Sequence, residues 1–181
     1  MASRNNPIWV ELVQLIPIVS LALPFILQGK VDLSGAGFGF ALGALLNLPI
    51  YALILQRGYV LNPILLGAAL WLGVGGVAFN VPIDPIAKWL IETQAFGLFL
   101  AAFGVGVVTT FLSPHGYAGC SSDDRRWLRR SSLFLLALTL AALAWAWLFR
   151  GDVRMGGGAP FIVLNVARRV LIARGSRTPN R

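Results

Sequence analysis

Six stretches of apolar residues alternate with short polar connections along this chain. The stretches 63–79 and 95–112 carry almost no charge, and a polar hinge with Lys88 and Trp89 lies between them. A helix needs about 20 apolar residues to cross the hydrocarbon of a bilayer. A backbone in lipid must also satisfy its own hydrogen bonds, which favours helices. The pattern therefore predicts an all-α fold, a polytopic membrane helix bundle.

The apolar stretches predict five membrane-spanning helices and a short sixth one in a single membrane domain, residues 1–181. A basic loop and a basic tail complete the chain. The predicted helices are 8–27, 35–55, 63–79, 85–112, 131–149 and 156–172, the loop is 113–130, and the tail is 173–181.

The sixth segment decides the topology, because Arg168 and Arg169 shorten its uncharged part. If it lies on the surface, the chain has five spans, and its two arginine-rich regions fall on opposite sides. If it crosses, with both arginines snorkelling to the near interface, the arginine-rich regions share one side. The second arrangement agrees with the positive-inside tendency, so we predict six crossings with cytoplasmic N- and C-termini.

Composition narrows the function classes. The chain has 181 residues, of which 57% are hydrophobic and 12% charged, with a net charge of +8. A basic excess beside apolar spans sets orientation and attracts anionic lipid, so we expect no nucleic acid partner. Cys120 and His115 are the only cysteine and histidine. This argues against a disulfide framework, a thiolate metal cluster and bis-histidine haem, and we expect no cofactor.

Glycine spacing in the second predicted helix indicates close helix packing. Gly35, Gly39 and Gly43 recur every fourth residue. Such a face allows the backbone of a second helix to approach closely.

Three polar residues in the first two helices leave two interpretations open. Glu11 and Gln14 at a span entrance could bind a cation or proton, or Glu11 could be an interfacial carboxylate near a helix start. Asn47, close to Pro49, could line a cavity in a broken helix or form a hydrogen bond between helices. One hypothesis is therefore a polar path through Glu11, Gln14 and Asn47.

The sequence RRWLRR predicts a basic helical turn in the lipid headgroups that leads into the fifth helix. It contains Arg125, Arg126, Trp127, Arg129 and Arg130. Arginines and tryptophan favour the headgroup region, so anionic headgroups are the expected partner. The run 121–124 before it, Ser-Ser-Asp-Asp, predicts a capped helix start.

Reactive side chains share the loop 113–130, but their pattern does not indicate catalysis. His115, Cys120, Asp123 and Asp124 could suggest a nucleophile with a base. Catalysis needs the reacting side chains to be fixed in position relative to one another, and a loop rich in glycine and serine is not expected to fix them. No G-x-S-x-G elbow or phosphate-binding loop occurs either. We therefore expect a protein that is not an enzyme.

Three short motifs occur in a suggestive order. They are Leu15-Ile16-Pro17 in the first helix, Gly75-Gly76-Val77-Ala78-Phe79 at the end of the third, and Ile86-Ala87-Lys88-Trp89 before the fourth. Together they resemble the intracellular septation protein A family over residues 9–105. The matching positions are Pro17, Gly75, Gly76, Phe79, Lys88 and Trp89. The chain departs from that family in its longer, arginine-rich fourth loop.

The resemblance implies a non-enzymatic protein of the bacterial inner membrane that supports cell-envelope integrity or septation. Its expected partners are membrane lipids and other inner-membrane proteins, and a homo-oligomer is a further option. Two alternatives stay open at this point. One is a small transporter or channel subunit, and the other is an accessory subunit of a larger membrane complex.

Overall fold

The structure is a computed structural model that describes residues 7–28, 33–81, 84–120, 124–150, 152 and 154–175. Side chains are described for these residues except 20–28, 33–36 and 84. Within this part of the chain all regular structure is helical, which confirms the predicted all-α fold. The helices are α1 (Ile8–Gln28), α2 (Leu33–Gln56), α3 (Pro63–Asn80), α4 (Asp84–Thr93), α5 (Ala95–Leu112), α6 (Arg125–Leu148) and α7 (Ala159–Gly175), with a π-helical turn at Arg154–Gly158.

Five described helical segments are long and apolar enough to cross a membrane. They are Gly37–Gln56, Pro63–Asn80, Ala95–Leu112, Arg125–Leu148 and Arg154–Gly175. The last of them contains the segment whose crossing was in doubt from the sequence. Helix α1, with 21 residues, supplies a further apolar segment at Ile8–Val19. These helices bear out the prediction of a membrane helix bundle.

The chain folds into two compact units, each with its own packing. The N-terminal unit contains the described residues up to Leu61 together with Ala68–Thr93. The C-terminal unit contains Asn62–Gly67 and the described residues from Gln94 onward. A single membrane domain over residues 1–181 stays a prediction.

In the N-terminal unit, α2 packs closely on α1 and α3 through glycine. A Cβ placed on Gly43 would lie 2.9 Å from the carbonyl oxygen of Pro17 and 3.1 Å from Leu72 Cδ2. Gly39 is buried on the same helix, whereas the surroundings of Gly35 lie outside the described side chains. The absence of a side chain at residue 43 therefore lets α2 approach both neighbours at one level.

The C-terminal unit has its own apolar core among α5, α6 and α7. The first described segment of this unit, Asn62–Gly67, begins with the N-cap of α3. Asn62 Oδ1 accepts a hydrogen bond from the Ile64 amide at 3.1 Å. The Asn62 amide also donates to Asn165 Oδ1 on α7 at 3.3 Å. The buried core residues are Ile64, Phe99, Tyr117, Ala118, Cys120, Leu128, Leu135, Ala142, Ala146 and Leu164.

The predicted span 85–112 is two helices rather than one, so its start was wrong, whereas the apolar stretch 95–112 coincides with α5. Helix α4 ends at Thr93, and α5 begins at Ala95. Gln94 between them has a φ of 45°, which a residue inside a right-handed helix does not adopt. The membrane-spanning part of this segment is therefore α5 alone, and α4 is a separate ten-residue helix.

The predicted basic loop 113–130 is shorter in the structure, because its arginines are helical. Helix α6 begins at Arg125, where the side chain of Asp124 accepts hydrogen bonds from the amides of Arg126 and Trp127 at 2.9 and 3.0 Å. This N-cap confirms the predicted helix start at Asp124, while residues 121–123 lie outside the described part of the chain. The sequence RRWLRR is the first turns of α6, continuous with its apolar part.

Candidate functional site

The connection between α5 and α6 is a tightly folded loop, residues 113–120. Gly116 and Gly119 have φ angles of 58° and 62°, which favour glycine. Their amides donate to the carbonyls of Ser113 and Gly116 at 3.2 and 3.3 Å. Residues 116–120 are all buried. The sequence had indicated a loop without a fixed conformation. This expectation was wrong, because each turn of the loop is hydrogen-bonded and packed.

Tyr117 fixes this loop to α5 and α6. Its amide donates to Ser132 Oγ at 2.9 Å, and its hydroxyl lies 3.0 Å from Thr139 Oγ1. The ring occupies the space that glycine leaves on α5, since a Cβ on Gly106 would lie 2.8 Å from Tyr117 Cζ. Burial raises the pKa of the Tyr117 phenol to about 12, although Thr139 and Arg168 act in the opposite direction.

Arg168 joins the same loop to α7. Its side chain is only 1% exposed. Nε donates to the carbonyl oxygen of Ala118 at 2.8 Å, and Nη2 donates to that of Gly119 at 3.4 Å. The expectation that Arg168 snorkels to the interface was therefore wrong for this residue. Loop carbonyls lie within reach of the guanidinium, so the charge is stabilised inside the protein. Arg169 is exposed.

Cys120 is enclosed beside this contact. The thiol is buried, and burial raises its pKa, an effect that the nearby charge of Arg168 partly offsets. Since the thiolate is the nucleophile, a buried thiol with a raised pKa is a poor one. The Cys120 amide donates to the His115 carbonyl at 3.4 Å, so the bond between these two residues is a backbone bond. This arrangement serves the folding of the loop.

We predict that Cys120 reacts slowly with thiol reagents in the folded protein. Burial and the raised pKa should lower the labelling rate at pH 7.5 by at least about a hundredfold relative to the SDS-unfolded chain. Stopped-flow labelling with a chromogenic disulfide, before and after unfolding, measures this ratio. Equal rates in the two states would mean that the loop is open.

We also predict a loss of stability at alkaline pH that depends on Tyr117. Its pKa is about 10 in the unfolded chain and about 12 in the folded one, so the stabilisation is complete below pH 10. It is lost as the pH rises from 10 to 12, by at most about 3 kcal/mol. The free energy of unfolding of wild type and Tyr117→Phe should be compared by SDS titration at several pH values. The variant should lose less stability over this interval, and parallel curves would contradict the assignment.

The residues that carry the resemblance lie in the N-terminal unit, where three of the six pack around Phe40. The Phe79 ring stacks on Phe40 at a centroid distance of 5.4 Å. A Cβ on Gly75 would collide with the Phe40 ring, and a Cβ on Gly76 would lie 2.7 Å from Ala44 Cβ. The remaining positions are a buried Pro17, an exposed Lys88, and Trp89, which makes an edge contact with Trp71 at 5.7 Å.

The residues of the hypothetical polar path occupy α1 and α2. Glu11 is half-buried, and Gln14 is 1% exposed. Gln14 Nε2 donates to the carbonyl of Val10 in its own helix at 3.2 Å. Asn47 Nδ2 donates to the carbonyl of Ala69 on α3 at 3.1 Å, so Asn47 does form a hydrogen bond between helices. Asn47 Oδ1 and the Tyr51 hydroxyl are buried without a hydrogen-bond partner in the described part of the chain.

The basic residues of α6 lie at one end of the C-terminal unit. Arg125, Arg126, Arg129 and Arg130 are exposed, and Trp127 is half-buried. The ring of Trp127 lies against the end of α7, where a Cβ on Gly175 would lie within 2.4 Å of it. Arg174, also exposed, therefore lies at the same end as the start of α6.

Comparison with family models, with curated proteins and with solved structures finds no match. The resemblance to the septation protein family thus stays a prediction. Five apolar helices define the class: the chain is an integral, multi-pass membrane protein. Among the described residues no group of three or more His, Cys, Asp or Glu side chains could hold a metal ion.

The sequence did not reveal the roles of three residues. Tyr117 and Arg168 hold the folded loop in place, and Tyr51 lies beside Asn47 on α2. The signal for Arg168 was its charge within an apolar segment, which often marks a specific role. Tyr51 follows Asn47 by four residues and so shares its helix face, a signal that was present in the sequence. Tyr117 had no such signal, because its partners Ser132 and Thr139 are distant in the chain.

Proposed function

We propose that this protein is a non-enzymatic component of the bacterial inner membrane that supports the cell envelope or septation through contacts with other membrane proteins. One observation carries the proposal. The loop with the only cysteine and histidine is closed, and its polar groups stabilise the fold. Large apolar side chains such as Leu100, Val108 and Phe111 are exposed along α5, as expected for contact with lipid or with another membrane helix.

The partner can be sought directly. A tagged full-length chain, extracted in a mild detergent and analysed by mass spectrometry, should retain at least one inner-membrane protein of division or wall synthesis. Deletion of the gene should alter cell shape, septation or osmotic tolerance. A deletion strain with normal shape, septation and osmotic tolerance would contradict the envelope role, and recovery of one large complex would favour the accessory-subunit alternative.

Anionic lipid is the second expected partner, at the basic end of the C-terminal unit. Arginines at the start of a helix oppose the helix dipole, which favours cations at the other end. Arg125, Arg126, Arg129 and Arg130 are exposed at this unfavourable end of α6. Their position is thus poorly explained by helix stability and well explained by contact with phosphate headgroups, at about 1 kcal/mol per arginine.

Matched double variants test the lipid contact. We expect Arg129→Gln/Arg130→Gln to weaken retention of phosphatidylglycerol in native mass spectrometry by about thirtyfold, because two arginines at about 1 kcal/mol each are removed. Arg150→Gln/Arg154→Gln removes two exposed arginines near the opposite end of α6 and should have little effect. Equal losses in the two variants would argue for non-specific charge attraction.

A transporter or channel subunit is the second candidate function, which the two unpartnered polar atoms of α2 favour. Purified protein in liposomes should then move an ion or small solute, and Glu11→Gln should reduce the flux. Liposomes without flux, together with a silent Glu11→Gln variant, would remove this candidate.

A further inference from the structure

One face of α2 points into the space between α1 and α3. Gly43, Asn47 and Tyr51 are spaced by four residues and therefore share this face. Gly43 meets the Pro17 carbonyl on α1 and Leu72 on α3, and Asn47 bonds to the Ala69 carbonyl on α3. The same face of α2 thus meets both neighbouring helices.

The orientation of the Asn47 amide follows from its hydrogen bond. A backbone carbonyl only accepts, so Nδ2 must face Ala69 and Oδ1 must point elsewhere. Asn47 is 9% exposed, and its Oδ1 has no partner in the described part of the chain. The Tyr51 hydroxyl, one turn further along α2, is in the same situation. Two neighbouring turns of one face therefore each present an unpaired polar atom.

Gln14 extends this polar face onto α1. Helices α1 and α2 are joined by a short connection and pack against each other, with Pro17 at the level of Gly43. The two helices run antiparallel, so a step of one turn along α2 reaches the same level as a step of one turn in the reverse direction along α1. Asn47 follows Gly43 by one turn, and Gln14 precedes Pro17 by about one turn. Gln14 is buried, so both side chains lie at about the same depth in the helix pair.

An unpaired polar atom inside a protein costs about 1–3 kcal/mol, and more in contact with hydrocarbon. We propose that Asn47 Oδ1 and the Tyr51 hydroxyl form a site for a small hydrogen-bond donor between α1, α2 and α3. The guest is water or a small ammonium ion, since both are small and donate hydrogen bonds. An anion is disfavoured, because the unpaired atom of Asn47 is an acceptor. The described parts of the three helices also offer no basic side chain near residues 14, 47 and 69. The site does not depend on the envelope role or on transport.

Cysteine accessibility tests the site. In a Cys120→Ala background, Asn47→Cys and Tyr51→Cys should react with a small methanethiosulfonate at least about tenfold faster than Leu72→Cys, because thiolate formation needs water. Leu72 is 1% exposed and apolar, so it reports the dry interior of the same unit. Leu48, exposed on α2, supplies the lipid-facing control as Leu48→Cys. The protein is used in liposomes.

The guest is distinguished with Tyr51→Cys, which keeps Asn47. Ammonium donates hydrogen bonds, whereas tetramethylammonium has no N–H group. If ammonium is the guest, it should slow the labelling of residue 51 in ammonium chloride relative to tetramethylammonium chloride. Equal labelling rates in the two salts identify water as the guest. Rates at residues 47 and 51 no higher than at residue 72 would overturn the proposal.

Hydroxyl-radical footprinting of the wild type provides a measurement that does not depend on variant folding. Radiolysis of bound water modifies nearby side chains, so Tyr51 should be oxidised faster than Tyr117, which is 0% exposed and bonded to Thr139. Equal protection of both tyrosines would mean that the site is dry, and this would also overturn the proposal.

Discussion

Arg168→Gln should destabilise the C-terminal unit by about 3 kcal/mol. The substitution removes the Nε donor to Ala118 and the Nη2 donor to Gly119 from a buried position. Two loop carbonyls would then lack their charged donor, and the space of the guanidinium would be partly empty. SDS titration in mixed micelles measures the free energy of unfolding, and the labelling rate of Cys120 reports whether the loop has opened.

Arg169→Gln is the matched control, because Arg169 is the next residue of α7 and its side chain is exposed. The same charge is removed, so an effect of net charge would appear in both variants. We expect the control to change the unfolding free energy by less than about 1 kcal/mol. Similar losses in both variants, or an unchanged Cys120 rate in Arg168→Gln, would contradict the anchoring role of Arg168.

Gly67→Ala should destabilise the C-terminal unit by about 3 kcal/mol or prevent its folding. A Cβ on Gly67 would lie 2.7 Å from the backbone nitrogen of Ala102 and closer still to its Cα. Because these are backbone atoms, no side-chain rotation can relieve the overlap, and the backbone of α5 would have to move. The unfolding free energy and the yield of monodisperse protein in detergent measure the effect.

Gly73→Ala is the control on the same helix, since a Cβ there meets nothing within 4 Å. Alanine favours the helix over glycine by about 1 kcal/mol in water, so this variant should be neutral or slightly stabilised. A loss of stability as large as that of Gly67→Ala would show that glycine matters for helix formation in general and not for the contact with Ala102.

The membrane helices could be predicted from the sequence, because long apolar runs have few alternatives in lipid. The residues at which these helices begin and end were harder to predict. The apolar stretch 95–112 indicated where the spanning helix begins, but the sharp break at Gln94 depends on one positive φ angle in a residue other than glycine, which no residue type signals. The run 121–124 and the sequence RRWLRR predicted a helix start and a helical turn, but the loop bounds 113–130 still included Arg125–Arg130, which belong to α6.

The candidate site was predictable where the interaction is local. Asp124 caps a helix that begins at the next residue, and its side chain reaches amides two and three positions ahead. Arg168 contacts carbonyls 50 and 49 residues away in the chain, and a snorkelling arginine and a buried one have the same sequence pattern. Only the folded loop provides the acceptors that decide between them.

The buried guanidinium of Arg168 also constrains the order in which the polypeptide is assembled. A helix that enters the bilayer alone with a central arginine meets a penalty of about 3 kcal/mol on the scale of translocon insertion. Ribosomal synthesis delivers α5, the loop and α6 before α7, so the acceptors of Ala118 and Gly119 can be in place when α7 emerges. The earlier hairpin would then act as an intramolecular template that receives the last segment of the chain.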